Sequence, residues 1–145
     1  MKFLIVDDNK FNLFIMTKLI AEIVEDSHID TAQTVDSAYQ YFLTNDYDLV
    51  ITDGDLNNNI TGPMFARLML NKKPDQMIAG WTDCTTKKEE FSHVFKLARS
   101  SENQCMVWQK DINEVSLHHI LAPHTLGMRP RSHMTQDSVL STCST

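Results

Sequence analysis

The chain has 145 residues, a length that suits one domain with a single hydrophobic core. Its formal net charge of −6 argues against a nucleic-acid surface, because phosphate binding normally uses a basic face. Asp7 and Asp8 interrupt the first apolar run, so this segment does not resemble a signal peptide. No stretch approaches the length of a membrane span. We therefore expect a cytoplasmic protein that contacts neither DNA nor a membrane.

Short apolar runs that suit buried strands alternate along the chain with segments of helical periodicity. This alternation is typical of a parallel sheet with helices on both faces, because strands buried on both sides read as continuous apolar runs. The predicted strands are residues 2–6, 27–32, 48–52, 77–81 and 104–109. The predicted helices are residues 10–24, 35–43 and 62–69, one that begins near residue 85, and 114–121. The sequence therefore predicts an α/β fold.

Local signals mark the ends of several predicted helices. Asn9 and Asn113 are suitable N-caps for the first and last helices, and Pro63 suits the first turn of the third. Pro123 is expected to stop the last helix. The charged residues 87–90, at the start of the fourth helix, are expected to be solvated.

Polar side chains follow four of the five predicted strands. Asp7 and Asp8 follow the first strand and Asp53 the third, while Thr82 and Lys110 follow the last two. Because the ligand crevice of an open α/β sheet lies outside the carboxyl ends of its strands, we expect these side chains to converge. Three carboxylates that close need a counter-cation, and oxygen ligands suit a hard ion such as Mg²⁺. The sequence therefore predicts a site for a phosphoryl group.

This ordered set of residues resembles the motif set of the response-regulator receiver domain of two-component signalling, the CheY-like superfamily. The residues that carry the resemblance are Asp7, Asp8 and Asn9 with Asn12, the run 48–53, Thr82 and Lys110. The resemblance implies a flavodoxin-like, doubly wound, five-stranded parallel sheet of strand order 2-1-3-4-5 with helices on both faces. We therefore expect a receiver domain over residues 1–121 and a C-terminal tail without its own fold over residues 122–145.

The resemblance also implies a role for each residue of the predicted site. Asp53 would be the phosphoacceptor and would take a phosphoryl group from a phosphohistidine. Thr82 would donate a hydrogen bond to one phosphoryl oxygen, and Lys110 would pair with another. The ligands of Mg²⁺, or of Mn²⁺ in its place, would be Asp7, Asp8, Asp53 and the backbone carbonyl of Asp55.

The partners implied by the resemblance are proteins. A sensor histidine kinase or a histidine phosphotransfer protein would supply the phosphoryl group, and a downstream protein target would read the phosphorylated form. Phosphorylation adds roughly −1.5 to −2 charges, and the response of Thr82 and its loop to that charge would be the switch. The chain would be a stand-alone receiver that catalyses its own phosphorylation and dephosphorylation, with no other enzymatic activity, and homodimerisation stays open.

One alternative is an enzyme. Asp53 and Asp55 also resemble the Asp-x-Asp motif of haloacid-dehalogenase-type phosphatases, in which the second aspartate acts as acid and base. The motif order argues against this alternative, because the nucleophile strand comes first in that family and here the pair Asp7-Asp8 precedes it.

A second alternative is a degenerate receiver that works only as a docking module. Two departures from the family pattern favour it slightly. Asp111 stands where a proline usually follows the lysine, and Val107 stands where many receivers carry an aromatic residue that rotates inward on activation.

Overall fold

A computed structural model describes residues 1–56, 59–101 and 103–121. Within these residues the strands are β1 Lys2–Val6, β2 His28–Ala32, β3 Leu49–Asp53, β4 Ile78–Trp81 and β5 Cys105–Trp108. The helices are α1 Lys10–Ile23, α2 Val35–Thr44, α3 Gly62–Lys72, α4 Thr85–Leu97 and α5 Glu114–Leu121. None of the described helices is both long enough and apolar enough to cross a membrane. The predicted tail, residues 122–145, lies outside the described residues.

The strands form one parallel sheet in the order β2-β1-β3-β4-β5. The chain runs from β1 to β2 on one side and then returns to place β3 on the other side of β1. This confirms the predicted flavodoxin-like α/β fold and its strand order. The change of direction between β1 and β3 opens a crevice outside their carboxyl ends, which is where ligands bind in folds of this type.

Each face of the sheet packs its own hydrophobic core. Leu4 and Val6 of β1 face α2, α3 and α4, whereas Phe3 and Ile5 of the same strand face α1 and α5. Every residue of β3 and β4 is buried, as expected for central strands with helices on both sides. The strand ends that carry the predicted site are therefore held by a close-packed interior on both faces.

The predicted caps Asn9 and Asn113 are confirmed, and α3 is clearly longer than predicted. The Asn9 side chain accepts backbone hydrogen bonds from the first turn of α1, and the Asn113 side chain accepts one from the first turn of α5. Helix α3 continues to Lys72, three residues beyond its predicted end, because Leu70 is buried in the core and rewards the additional turn. Pro74 follows and limits further extension.

Gly80 lets helix α4 lie close to the sheet, and this contact generates a prediction. A methyl group at Gly80 would come within 2.6–2.7 Å of three ring atoms of Phe91, which is fully buried. We expect Gly80→Ala to lower the free energy of unfolding by about 1–3 kcal/mol, measured by urea denaturation, because the core is already filled. In the double variant with Phe91→Leu, the total loss in the free energy of unfolding should be smaller than the sum of the two single losses. Strict additivity would contradict this steric explanation.

Candidate functional site

A row of four side chains lies on one face of the sheet, at the carboxyl ends of its strands. Asp53 of β3 lies beside Trp81 of β4, and Trp81 lies beside Trp108 of β5. Asp7 directly follows β1 and continues the row on the other side of Asp53. Residues side by side in adjacent parallel strands point to the same face, so this edge carries two carboxylates followed by two indoles.

The three predicted acids do converge. Asp7, Asp8 and Asp53 each offer a carboxylate oxygen, and these oxygens lie within 4.8 Å of one another. The Asp7 carboxylate is fully buried, and it accepts hydrogen bonds from the Asn9 backbone N–H at 2.9 Å and from the Asn12 side chain at 3.1 Å. These bonds fix one wall of the cluster, and an oxygen-only donor set of this kind fits Mg²⁺ or Mn²⁺.

Lys110 reaches this cluster from the segment after β5. Its ammonium nitrogen lies 2.7 Å from Asp7 Oδ2 and 3.1 Å from Asp53 Oδ1. The same nitrogen lies 3.9 Å from the centroid of the Trp81 ring, which is the geometry of a cation–π contact. The backbone N–H of Lys110 donates to Asp83 Oδ1 at 2.8 Å. The lysine is therefore held at both its ammonium and its backbone.

One ammonium does not balance three carboxylates. Burial is the main cause that raises the pKa of Asp53 from 3.8 to about 6, and the charge of Asp7 adds to it. Lys110 and the hydrogen bond from the Gly54 backbone N–H, at 2.8 Å, act in the opposite direction. Burial and Asp7 also raise the pKa of Asp8. The site therefore has an excess of negative charge that a divalent cation would relieve.

Thr82 lies next to the residue that follows Asp53. A methyl group at Gly54 would be 3.0 Å from Thr82 Oγ1. The backbone N–H of Thr82 donates to the Trp108 carbonyl at 2.9 Å, and its hydroxyl oxygen accepts from the Cys84 N–H at 3.1 Å. Cys84, and not Thr82, is the N-cap of α4. A hydroxyl that accepts one hydrogen bond can also donate one, so Thr82 is able to donate to a group bound at Asp53.

The segment between β3 and α3 folds back onto Asp53. Gly62 donates from its backbone N–H to the Gly54 carbonyl at 2.9 Å, and a methyl group at Gly62 would lie 1.9 Å from the Asp53 carbonyl oxygen. Only glycine fits there. The Asp55 carboxylate is 74 % exposed and lies 3.9 Å from the ammonium of Lys87, so it stands apart from the three clustered acids. The role predicted for the Asp55 carbonyl stays a prediction.

Lys87 is a residue of this region that the sequence interpretation placed wrongly. It was expected to be solvated with its neighbours, but its side chain is only 18 % exposed. Its stem packs against Gly54, and its ammonium lies 3.9 Å from Asp55 and 3.5 Å from Glu90. A signal was present in the sequence. A lysine in the first turn of a helix is repelled by the positive end of the helix dipole, so its presence there indicates that nearby acids compensate.

A sequence model of the family described as response regulator receiver domain matches residues 3–119. The chain therefore belongs to the response regulator receiver domain family. Domains of this family act as phosphoacceptors in signalling, bind Mg²⁺ through an acidic pocket, and interact with histidine kinases or phosphotransfer proteins. No protein with curated annotation matched the chain in the sequence comparison.

Solved structures share the fold at low sequence identity. The chain is similar to the signal receiver domain of an HD-domain-containing protein from Pseudomonas fluorescens Pf-5, with 16 % identity, TM-score 0.70 and 84 % coverage of each chain. A CheY-like receiver domain protein from Methanospirillum hungatei JF-1 gives 17 % identity and TM-score 0.70, over 85 % of this chain and 91 % of that one. The chemotaxis response regulator CheY4 of Vibrio cholerae gives 18 % identity and TM-score 0.66, over 84 % and 96 %. These similarities show the fold.

The raised pKa of Asp53 predicts how the stability of the protein depends on pH. The folded-state pKa of Asp53 lies above its ordinary value of 3.8, so the folded protein holds an extra proton between these values and loses stability as pH rises through them. We therefore expect Asp53→Asn to raise the free energy of unfolding at neutral pH by about 1–3 kcal/mol. Urea denaturation at a series of pH values measures this difference, which should disappear below about pH 4.

Added Mg²⁺ should narrow the difference in the free energy of unfolding between the wild type and Asp53→Asn. A bound cation restores charge balance only where all three carboxylates are present, as in the wild type. Asp75→Asn is the matched control, since Asp75 is exposed between α3 and β4 and should change little. A wild type as stable as Asp53→Asn at neutral pH, or a difference that grows on acidification, would contradict the prediction.

Proposed function

We propose that this receiver accepts a phosphoryl group on Asp53 from the phosphohistidine of a histidine kinase or a histidine phosphotransfer protein. The observation that supports this most is the position of the Asp53 carboxylate. It ends a central strand, lies in the acid cluster, and stands 3.1 Å from the Lys110 ammonium with the Thr82 hydroxyl nearby. Nucleophile, cation and hydrogen-bond donor are the groups that phosphoryl transfer to a carboxylate requires.

Each residue then has a definite task. One Asp53 carboxylate oxygen forms the bond to phosphorus while the bond from phosphorus to the imidazole nitrogen of the partner breaks. Lys110 pairs with a phosphoryl oxygen and the Thr82 hydroxyl donates to another. The proposed metal ligands are the side chains of Asp7, Asp8 and Asp53 and the backbone carbonyl of Asp55. A divalent cation held by these ligands would supply the positive charge that offsets the acids when a dianionic phosphoryl group approaches.

An exposed aromatic pair beside the site suits the proposed partner. Phe11 and Phe14 lie in the first turns of α1, which begins two residues after Asp8, and they are 67 % and 61 % exposed. Residues at i and i+3 lie on one face of a helix, so the two rings form one apolar surface. A partner whose phosphohistidine reaches Asp53 must cover the mouth of the acid cluster, and we propose that it packs against this pair.

The assignment of Asp53 is tested by labelling with a small phosphodonor and Mg²⁺, followed by intact mass measurement. We expect one phosphoryl group on the wild type, none on Asp53→Asn, and strong loss on removal of Mg²⁺ by a chelator. Asp55→Asn is the matched control, because its carboxylate lies outside the cluster and its proposed contribution is a backbone carbonyl. It should be labelled within about threefold of the wild type, since exposed side chains of this kind contribute little to a neighbouring site.

Three results would contradict the proposal in different ways. Undiminished labelling of Asp53→Asn would show that another residue is the acceptor. Steady release of phosphate that is lost in Asp55→Asn would indicate the phosphatase alternative. Intact Mg²⁺ binding without any labelling would indicate the docking module.

The docking surface is tested by comparing two sources of phosphate. Phe11→Ala with Phe14→Ala should slow transfer from a phosphorylated histidine phosphotransfer protein by about tenfold or more, because exposed aromatic anchors carry much of the binding energy at interfaces. Labelling by the small phosphodonor should stay within about twofold, since it needs no docking surface. Leu97→Ala, at an exposed apolar residue of α4, is the control and should leave both rates unchanged. Equal slowing with both phosphate sources would contradict a docking role.

A further inference from the structure

The two residues on either side of Thr82 both contact Lys110. The Trp81 ring lies under the ammonium, with 3.9 Å between the ammonium nitrogen and the ring centroid. The Asp83 carboxylate accepts the backbone N–H of Lys110 at 2.8 Å. One short segment therefore holds the side chain and the backbone of the lysine at once.

The position of the indole follows from the sheet. Trp81 is the register partner of Asp53, and adjacent strands are about 4.8 Å apart, so the indole lies directly beside the proposed phosphoacceptor. Its side chain is almost fully buried in the core between the sheet and helices α1 and α5. A ring packed in this way cannot turn away from the lysine.

The three contacts of the ammonium differ in what phosphorylation and metal binding do to them. Asp53 would become an acyl phosphate, and Asp7 would engage a metal ion, so both ion pairs of Lys110 change. The indole is neutral and takes part in neither event, so its contact with the ammonium is unchanged by phosphorylation or metal binding. A lysine on a flexible four-carbon stem would otherwise lose its position at the step in which it is needed.

We propose that Trp81 and Asp83 are positioning residues that together clamp Lys110 beside the phosphoacceptor. This inference rests on the proposed function of Asp53 and Lys110. The clamp, Trp81 and Asp83, flanks Thr82 in the chain. A displacement of Thr82 is therefore transmitted to Lys110, and the two residues that meet the phosphoryl group move together. Such a link would couple the lysine to the Thr82 segment through β4, whereas the neighbouring strand β5 has Val107 and no aromatic residue beside Gly80.

The contact itself is tested by fluorescence, because the chain contains two tryptophans. In a Trp108→Phe background Trp81 is the one remaining tryptophan, and adding Lys110→Met should change the tryptophan emission. In a Trp81→Phe background Trp108 is the one remaining tryptophan, and adding Lys110→Met should leave the tryptophan emission unaltered. Equal responses in the two backgrounds, or none in the first, would overturn the clamp.

The role in the reaction is tested by the rate of Asp53 labelling at saturating Mg²⁺, with Mg²⁺ affinity measured separately. We expect Trp81→Leu to lower the rate about tenfold, as loss of a desolvated cation–π contact would. Trp81→Phe should restore most of it. Trp108→Leu is the matched control, because Trp108 is equally buried but has no contact with the ammonium, and it should stay within about twofold.

A double-mutant cycle separates positioning from a general effect on folding. Trp81→Leu added to Lys110→Met should cause no further loss of rate, since the lysine that the indole positions is already gone. Asp83→Ala, at an exposed residue whose replacement should not affect folding, should lower the rate in the presence of Lys110 and not in its absence.

Additive losses, or a loss in Trp108→Leu as large as in Trp81→Leu, would overturn the clamp. If the wild type is not labelled on Asp53 at all, the proposed function fails, and the fluorescence comparison alone then decides whether the clamp exists.

Discussion

The repulsion among three carboxylates at the ends of β1 and β3 is the constraint on which the rest of this site depends. Their oxygens are held within 4.8 Å of one another, and a single ammonium stands among them. Burial raises the pKa of Asp53, and the charge of Asp7 raises it further. A divalent cation would relieve this imbalance and, under the proposed function, would allow a phosphoryl group to approach the acids.

Such crowding persists because the surrounding structure leaves the acids no freedom to separate. The strands that carry them are buried on both faces, and the Asp7 carboxylate is tied to the start of α1 by Asn9 and Asn12. The backbone of Gly62 also lies against the Asp53 carbonyl, so close that no side chain would fit between them. The stability lost in the acid cluster is therefore offset by the packing of the two cores, which is the usual arrangement at functional sites.

Gly54 is the point at which the parts of the site meet. The Thr82 hydroxyl and the stem of Lys87 both lie against it, and its backbone N–H donates to Asp53. Lys87 belongs to the first turn of α4 and pairs with Asp55 in the segment before α3. Gly54 also accepts a backbone hydrogen bond from Gly62, the first residue of α3. Under the proposed function, a change of charge on Asp53 would therefore lie one residue away from contacts with both α3 and α4, which would give a short physical route to the surface.

The sequence by itself determined the order of helices and strands along the chain and predicted that the three acids and Lys110 converge at the strand ends. Apolar runs such as 2–6 and 48–52 end in acids because a buried parallel strand must be apolar along its length, and its carboxyl end is where a ligand crevice opens. The order of the strands came from the resemblance to a family, since periodicity predicts strands but not their neighbours.

Only the tertiary structure decided which side chains touch. Lys110 and Asp7 are 103 positions apart, and their ion pair depends on the order of the strands. The indole of Trp81 lies under Lys110, and the stem of Lys87 lies against Gly54, because of strand register and helix placement. These contacts join distant parts of the chain, and no local pattern records them, because each depends on how two faces of a sheet are packed at the same time.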